Sequence, residues 1–138
     1  MSKIPDDLKY SKQHQWIKID GDTATIGITD HIKTEFGKII DVQFLVNEGD
    51  SVAKQQVDPY GFAAIPIGAI DLFPPVSGKV TAVNNAISVN SALKDEEIEE
   101  IFKNDQYGKG WLIKVKMSDA GEVDSLMDAA AYKAFIEK

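Results

Sequence analysis

The stretch AAIPIGAIDLFPPVSGKV, Ala63 to Val80, is nearly free of charge and carries two strong turn signals. The first is Ile65-Pro66-Ile67-Gly68. Pro66 sets φ for the second position of a β-turn, and Gly68 relaxes the exit. The second runs from Pro74 to Gly78. Tyr60 to Ile65 and Ala69 to Phe73 read as strands on either side of the first turn. Pro74-Pro75 then interrupts the ladder, Ser77-Gly78 turns the chain, and Lys79 to Val83 reads as another strand. The stretch therefore predicts a hairpin with an apolar tip, and function turns on what that tip holds.

The same period of two continues outward in both directions. Gln15 to Asp20 and Thr23 to Ile28 alternate apolar and polar residues around an Asp20-Gly21 turn, a hairpin signature. Thr29 to Gly37 predicts a short helix with Thr29 or Asp30 as cap, Gly37 as stop, and Ile32 and Phe36 on one face. Lys38 to Val46 is strand-like, and Asn47-Glu48-Gly49-Asp50 is a turn before Ser51-Val52. Asn84, Asn85, Asn90 and Ser91 are loop-like. Leu93 to Phe102 predicts a helix with Leu93, Glu97, Ile98, Ile101 and Phe102 near one face. Trp111 to Lys116 is a final strand, and the C-terminus reads as one or two helices carrying Val123, Leu126, Met127, then Tyr132, Phe135 and Ile136. Short strands, Gly- and Pro-rich turns and a few peripheral helices point to a small barrel or sandwich. The phrases GDSV at Gly49 and VSGKV at Val76 hint at a two-fold repeat of one β unit.

Composition narrows the functional classes. A chain of 138 residues suits one domain, here residues 1–138, with a real core. It has no cysteine, which excludes disulfides, thiolate metal sites, a cysteine nucleophile and a redox dithiol. A formal charge of -7 argues against nucleic acid and anionic membrane surfaces as partners. The N-terminus, MSKIPDDLKY, lacks the apolar core of a secretory signal, so a cytoplasmic location is expected.

No residue pattern here announces catalysis. His14 and His31 lie far apart in sequence with no evident nucleophile, so a structural hydrogen bond or a surface position is the expectation. The run Asp95-Glu96-Glu97 with Glu99-Glu100 fits a solvated helix face better than a metal site. Asp30 and Asp41 suggest caps and turns, and Trp16 and Trp111 read as core. The expectation is a non-enzyme with no catalytic residue and no metal.

Several separated motifs, in order, resemble the glycine cleavage system H-protein family. They are LKYSKQHQWIKIDGDTATIGITD, the Gly49-Asp50 turn, IDLFPPVSGKV, YGKGWLIKVK and LMDAAAYKAFIEK, covering the chain from about Leu8 to its end. The resemblance implies a mainly β, lipoyl/biotinyl-like barrel-sandwich hybrid with short peripheral helices and a C-terminal helical segment. It also implies a carrier role. In that family a lysine at a hairpin tip holds lipoate through an amide, and the arm passes an aminomethyl group among the P, T and L proteins of glycine catabolism. Lipoate-attaching enzymes are partners of the same tip.

Against that pattern, the tip departs. The family reads roughly Glu-Ser-Val-Lys-Ala ahead of Asp-Leu-Tyr-Ser-Pro-Val-Ser-Gly. Aligning Asp71 to Gly78 with the second segment places the attachment lysine at Ile67 and the glutamate at Ala64, with Ile65 and Pro66 between and Gly68 after. No lysine occurs between Lys54 and Lys79, so no small slip of register restores one. The expectation is therefore no bound lipoate, with the protein acting as a binding, scaffold or regulatory homologue. The alternative is a working carrier modified at a non-standard lysine, Lys54 or Lys79. A second departure is a segment after Asn84 longer by roughly eight residues than the family's, with Gln106 replacing a proline.

Overall fold

The computed structural model describes residues 4–54, 56, 58–88 and 94–137. Among the described residues nine strands carry the fold: β1 (Lys9–Tyr10), β2 (Gln15–Asp20), β3 (Thr23–Ile28), β4 (Asp41–Phe44), β5 (Ser51–Val52), β6 (Gly61–Ile65), β7 (Gly68–Leu72), β8 (Gly78–Val83) and β9 (Trp111–Met117). Three α-helices lie among them: α1 (Asp30–Phe36), α2 (Asp95–Asn104) and α3 (Ala129–Ile136). Short 3₁₀ turns occupy Asn85–Ile87 and Ala120–Ser125. Among the described residues no helix is long and apolar enough to cross a membrane.

The strands form two sheets, one of six in the order β1-β2-β3-β9-β8-β5 and one of three in the order β4-β6-β7. This corrects the expectation of a barrel-sandwich hybrid. The mainly β character, the short helices and the C-terminal helix stand, but both sheets are open and neither closes into a barrel. Closure requires the last strand to pair with the first. Here β1 and β5 end the large sheet, and β4 and β7 end the small one. The prolines at 74 and 75 help to explain the break. They have no amide N–H, so the chain cannot carry ladder bonds from β7 into β8. Strand number and turn chemistry do not encode which edges meet.

The two sheets share one core. Ile17, Ile26, Ile113 and Val115 from the large sheet and Val42, Ala63 and Leu72 from the small one are all buried in it. Burying each isoleucine contributes roughly 1.5–3 kcal/mol. A polar bridge joins the sheets as well. The Tyr60 hydroxyl donates to Gln15 Oε1 at 2.6 Å, and Gln15 Nε2 donates to the Phe73 carbonyl at 2.7 Å. Gln15 is itself 1 % exposed, so these bonds satisfy a side chain that water does not reach. Full burial pushes the Tyr60 phenol far above its ordinary pKa.

Successive residues of a strand face opposite ways, and β2 uses both faces. Ile17 enters the core between the sheets, while Trp16 joins a second cluster with Leu8, Tyr10, Ala129 and Tyr132 under α3. Trp111, read from sequence as core, is half-buried, with Lys114 Nζ 5.1 Å from its ring centre. Strand pairing sets Trp16 opposite Gly27. A β-carbon at Gly27 would be driven into the Trp16 indole. Glycine is required there by space, because the indole occupies the place a side chain would take.

Local expectations are met closely, with informative shifts. The hairpin of β2 and β3 turns where Asp20-Gly21 signalled, with Gly21 at φ 63. The strand expected from Lys38 to Val46 shortens to β4, and Asp41 lies within it rather than in a turn. Thr29 occupies the N-cap position of α1, but its side chain does not cap the helix. Its hydroxyl instead bonds the Tyr132 hydroxyl at 2.7 Å. In α2, Ile98 and Phe102 are buried and Ile101 is half-buried. Glu97 is exposed, because its carboxylate turns back to accept from the Lys94 amide at 3.2 Å. Leu93, Asn90 and Ser91 lie outside the described residues. The two phrases that hinted at a repeat sit side by side, since Ser51 pairs with Lys79 and Val52 with Gly78.

Replacing Gly27 with alanine should lower stability by about 2–3 kcal/mol, because Trp16 must leave its site to make room. Urea unfolding should show a lower midpoint at unchanged slope. An unchanged midpoint would mean that the indole repacks without cost.

Candidate functional site

The hairpin of β6 and β7 is built by residue type. Ala63 and Ile65 face the core and are buried, whereas Phe62 and Ala64 face outward and are half-buried. The outermost pair is Ile65 with Gly68, which leaves Pro66 and Ile67 as a two-residue turn. Such short turns usually require positive φ at their first central residue. Proline cannot supply it, and Ile67 does not have positive φ either. The adjustment passes to Gly68, whose φ of 150 is open to glycine and strained for other residues.

The turn is braced on one side only. The Pro66 ring lies 3.7 Å from where a β-carbon on Gly37 would stand, so it rests against the C-terminus of α1. Ile67 is 83 % exposed, far more than Leu45, Phe36 or Ile19, the other exposed large apolar side chains among the described residues. Its side chain offers no nitrogen for acylation, no proton to transfer and no ligand for a metal.

The two flanking lysines stand elsewhere. Lys79 lies within β8, paired across to Ser51 on one side and Lys116 on the other. Lys54 follows β5. Its amide donates to Ser77 Oγ at 2.8 Å, and its ammonium donates to Ser125 Oγ. It lines a cleft of about 590 Å³ with Lys12, Phe73, Pro74 and Met127, at the opposite end of β7 from the turn. Neither lysine occupies a hairpin apex.

With this geometry in view, comparison with known proteins places the chain. The model of the glycine cleavage H-protein family matches residues 8–138. The chain belongs to that family. It is 42% identical over 138 residues to the glycine cleavage system H protein of Marinobacter nauticus, covering 96% of this chain and 94% of that one. It is 39% identical to the corresponding protein of Carboxydothermus hydrogenoformans, covering 100% of this chain and 98% of the other. The crystal structure of a glycine cleavage system H protein from Mycobacterium marinum superposes with a TM-score of 0.77 at 28% identity, covering 98% of this chain and all of that one.

Membership in the family leaves a second cluster of side chains for this chain's own geometry to explain. His14 and His31, which sequence spacing did not connect, lie with ring centres 4.6 Å apart. His14 Nδ1 is 2.8 Å from the Tyr132 hydroxyl, which also meets Thr29. His31 Nε2 lies 3.3 Å from Glu35. Burial first, and His31 second, hold the His14 pKa below its ordinary value, while Glu35 opposes them. The one sequence signal for the pair was His14's place in a tight turn ahead of β2. It is the single non-glycine residue with positive φ among those described, at 65. Of the acidic run, Glu96, Glu97 and Glu100 are exposed along α2, and Asp30 pairs with Lys33 at 2.9 Å on α1.

Because Ile67 packs on nothing that holds the fold, Ile67→Lys should change stability by no more than about 0.5 kcal/mol. Thermal unfolding of the two chains would check this. A large loss would show that the turn depends on an apolar apex.

Proposed function

We propose that this H-protein family member carries no lipoyl group and acts as a binding, scaffold or regulatory homologue. One observation carries the reading: the residue at the exposed apex of the β6–β7 hairpin, where the family's attachment lysine falls by count from Asp71, is Ile67. Lipoate attachment by an amide needs a primary amine on a projecting tip. The tip projects here, and the amine is missing. The engagement of Lys54 by Ser125 and the position of Lys79 inside a sheet support the same reading, since neither presents an ammonium as an apex would.

In this reading residues 1–138 work as one H-protein-like domain that retains a body able to meet the family's partners. Those partners are the P, T and L proteins and the lipoate-attaching enzymes. The protein breaks and makes no bonds itself. Its charge of -7 favours basic protein surfaces over nucleic acid or anionic lipid. Binding without carriage would let it occupy a docking site while delivering nothing.

The intact mass of protein isolated from its native host under lipoate-replete conditions tests this directly. An unmodified mass is expected, and an added lipoyl group would move the chain to the class of working carriers modified at another lysine. A gain-of-function experiment adds the reverse arm. Ile67→Lys should become a substrate for a lipoate ligase if the surface around the tip is intact. Adding Ala64→Glu brings back the family's acidic residue, but sets it across the β4–β6 pair from Asp41. Like charges directly opposite are destabilising by up to about 1 kcal/mol, so the double variant should be modified and somewhat less stable. Failure of every combination, including release of Pro66, would show that the tip's surroundings have lost recognition as well.

A further inference from the structure

We propose that the His14–His31 pair is a proton-operated latch, which releases the C-terminal helix α3 on acidification while both sheets stay folded. The inference stands on the arrangement of groups around His14 and does not depend on the state of the hairpin tip.

Two bases are held close together, their rings tilted by 39°, on parts of the body outside α3. His14 is pinned through its backbone: its carbonyl accepts from the Thr29 amide at 3.0 Å, and its own amide donates to the Ser11 carbonyl at 3.1 Å. His31 rides on α1, which is fixed by buried Ile32 and by Lys33 Nζ donating to the Phe102 carbonyl at 2.5 Å. The Asp30 amide also donates to the Tyr107 hydroxyl at 3.1 Å. The cover over the pair comes from α3. Tyr132 and Phe135 place their rings 5.9 Å from the His14 ring.

The attachments of α3 concentrate at the same point. Tyr132 is fully buried, and its ring stacks on Tyr10 at 4.7 Å. Its hydroxyl is shared between His14 and Thr29. Helix α3 has eight residues and belongs to neither sheet, so it can leave without unpairing any strand of the central ladder. The backbone tie nearest to it is the bridge between Tyr10 and Met127.

The charges facing the pair balance one proton and not two. On α1 they are Glu35, 3.3 Å from His31, and the Asp30–Lys33 ion pair, which is internally matched. On α3 the titratable group facing the pair is the Tyr132 phenol, which burial keeps neutral. Glu35 compensates one imidazolium. A second must form beside the first, at a half-buried His14 ring that Tyr132 and Phe135 of α3 partly cover. Undocking α3 returns water to His14 and removes the burial that is the larger cause of its weakened affinity for a proton, while His31 stays beside it. The undocked form therefore binds more protons than the docked form as pH falls below about 6.5, and docking weakens in that direction.

Hydrogen exchange on the full chain at pH 7.5 and 5.0, corrected for intrinsic rates, tests the latch. Protection of the α3 amides should fall about tenfold or more between the two, while those of β3 and β9 hold. His14→Asn tolerates positive φ and does not titrate in this range, so it should abolish the fall. If that chain does not fold, His31→Gln keeps the His14 contacts and should shrink the fall. Glu35→Gln removes the compensating charge and should enlarge it. Unchanged α3 protection in the native chain, parallel loss in β9, or an undiminished fall in the histidine variants would overturn the proposal.

Discussion

Everything in this molecule hangs on the antiparallel pairing of β3 with β9. It joins an early hairpin to a late strand, setting Ala24 against Val115 and Ile26 against Ile113, and all four are removed from water. Loop-closure cost grows only with the logarithm of the intervening length, so this distant junction is offset by apolar burial at the join. Once it forms, β2 lies on one side and β8 on the other. The three-stranded sheet then covers the apolar face that remains, and the β6–β7 hairpin is carried outward from that cover.

Such an arrangement separates what holds the fold from what the tip presents. The core residues of the hairpin are Ala63, Ile65 and Leu72, and its apex contributes nothing to them. A lysine, an isoleucine or another residue at position 67 meets the same solvent and the same turn. The body of the fold therefore does not depend on which side chain stands at the apex, and overall similarity reports on the body. Pro66 and Gly68 sharpen this separation. Together they fix the backbone of the turn, so the identity of the apex side chain does not decide its shape.

The sequence revealed a good deal of this, for reasons that can be named. Period-two alternation and the Asp20-Gly21 turn encode β2 and β3 locally, and Pro66 with Gly68 encode the hairpin in the same way. The opening of both sheets, where a closed barrel was expected, was not legible, because edge pairing is a relation between distant strands and two prolines break the path that closure would need. The histidine cluster also escaped. His14 reaches His31 across the β2–β3 hairpin and reaches Tyr132 from the far end of the chain, and no spacing rule spans those separations. Thr29 misled in a smaller way: the residue has the right chemistry for a cap, but a buried tyrosine hydroxyl competes for its oxygen.

The hairpin also has a colloidal side. Strand β7 ends the three-stranded sheet, and such a strand offers backbone groups to any passing chain unless charge, proline or twist turns it away. Along Gly68–Leu72 the only ionised side chain is Asp71, and the turn beside it is apolar at both positions. An ammonium at the apex would guard that margin as well as perform chemistry. With isoleucine in its place, protection against edge-to-edge stacking rests on Pro66, on Asp71 and on the shortness of the strand.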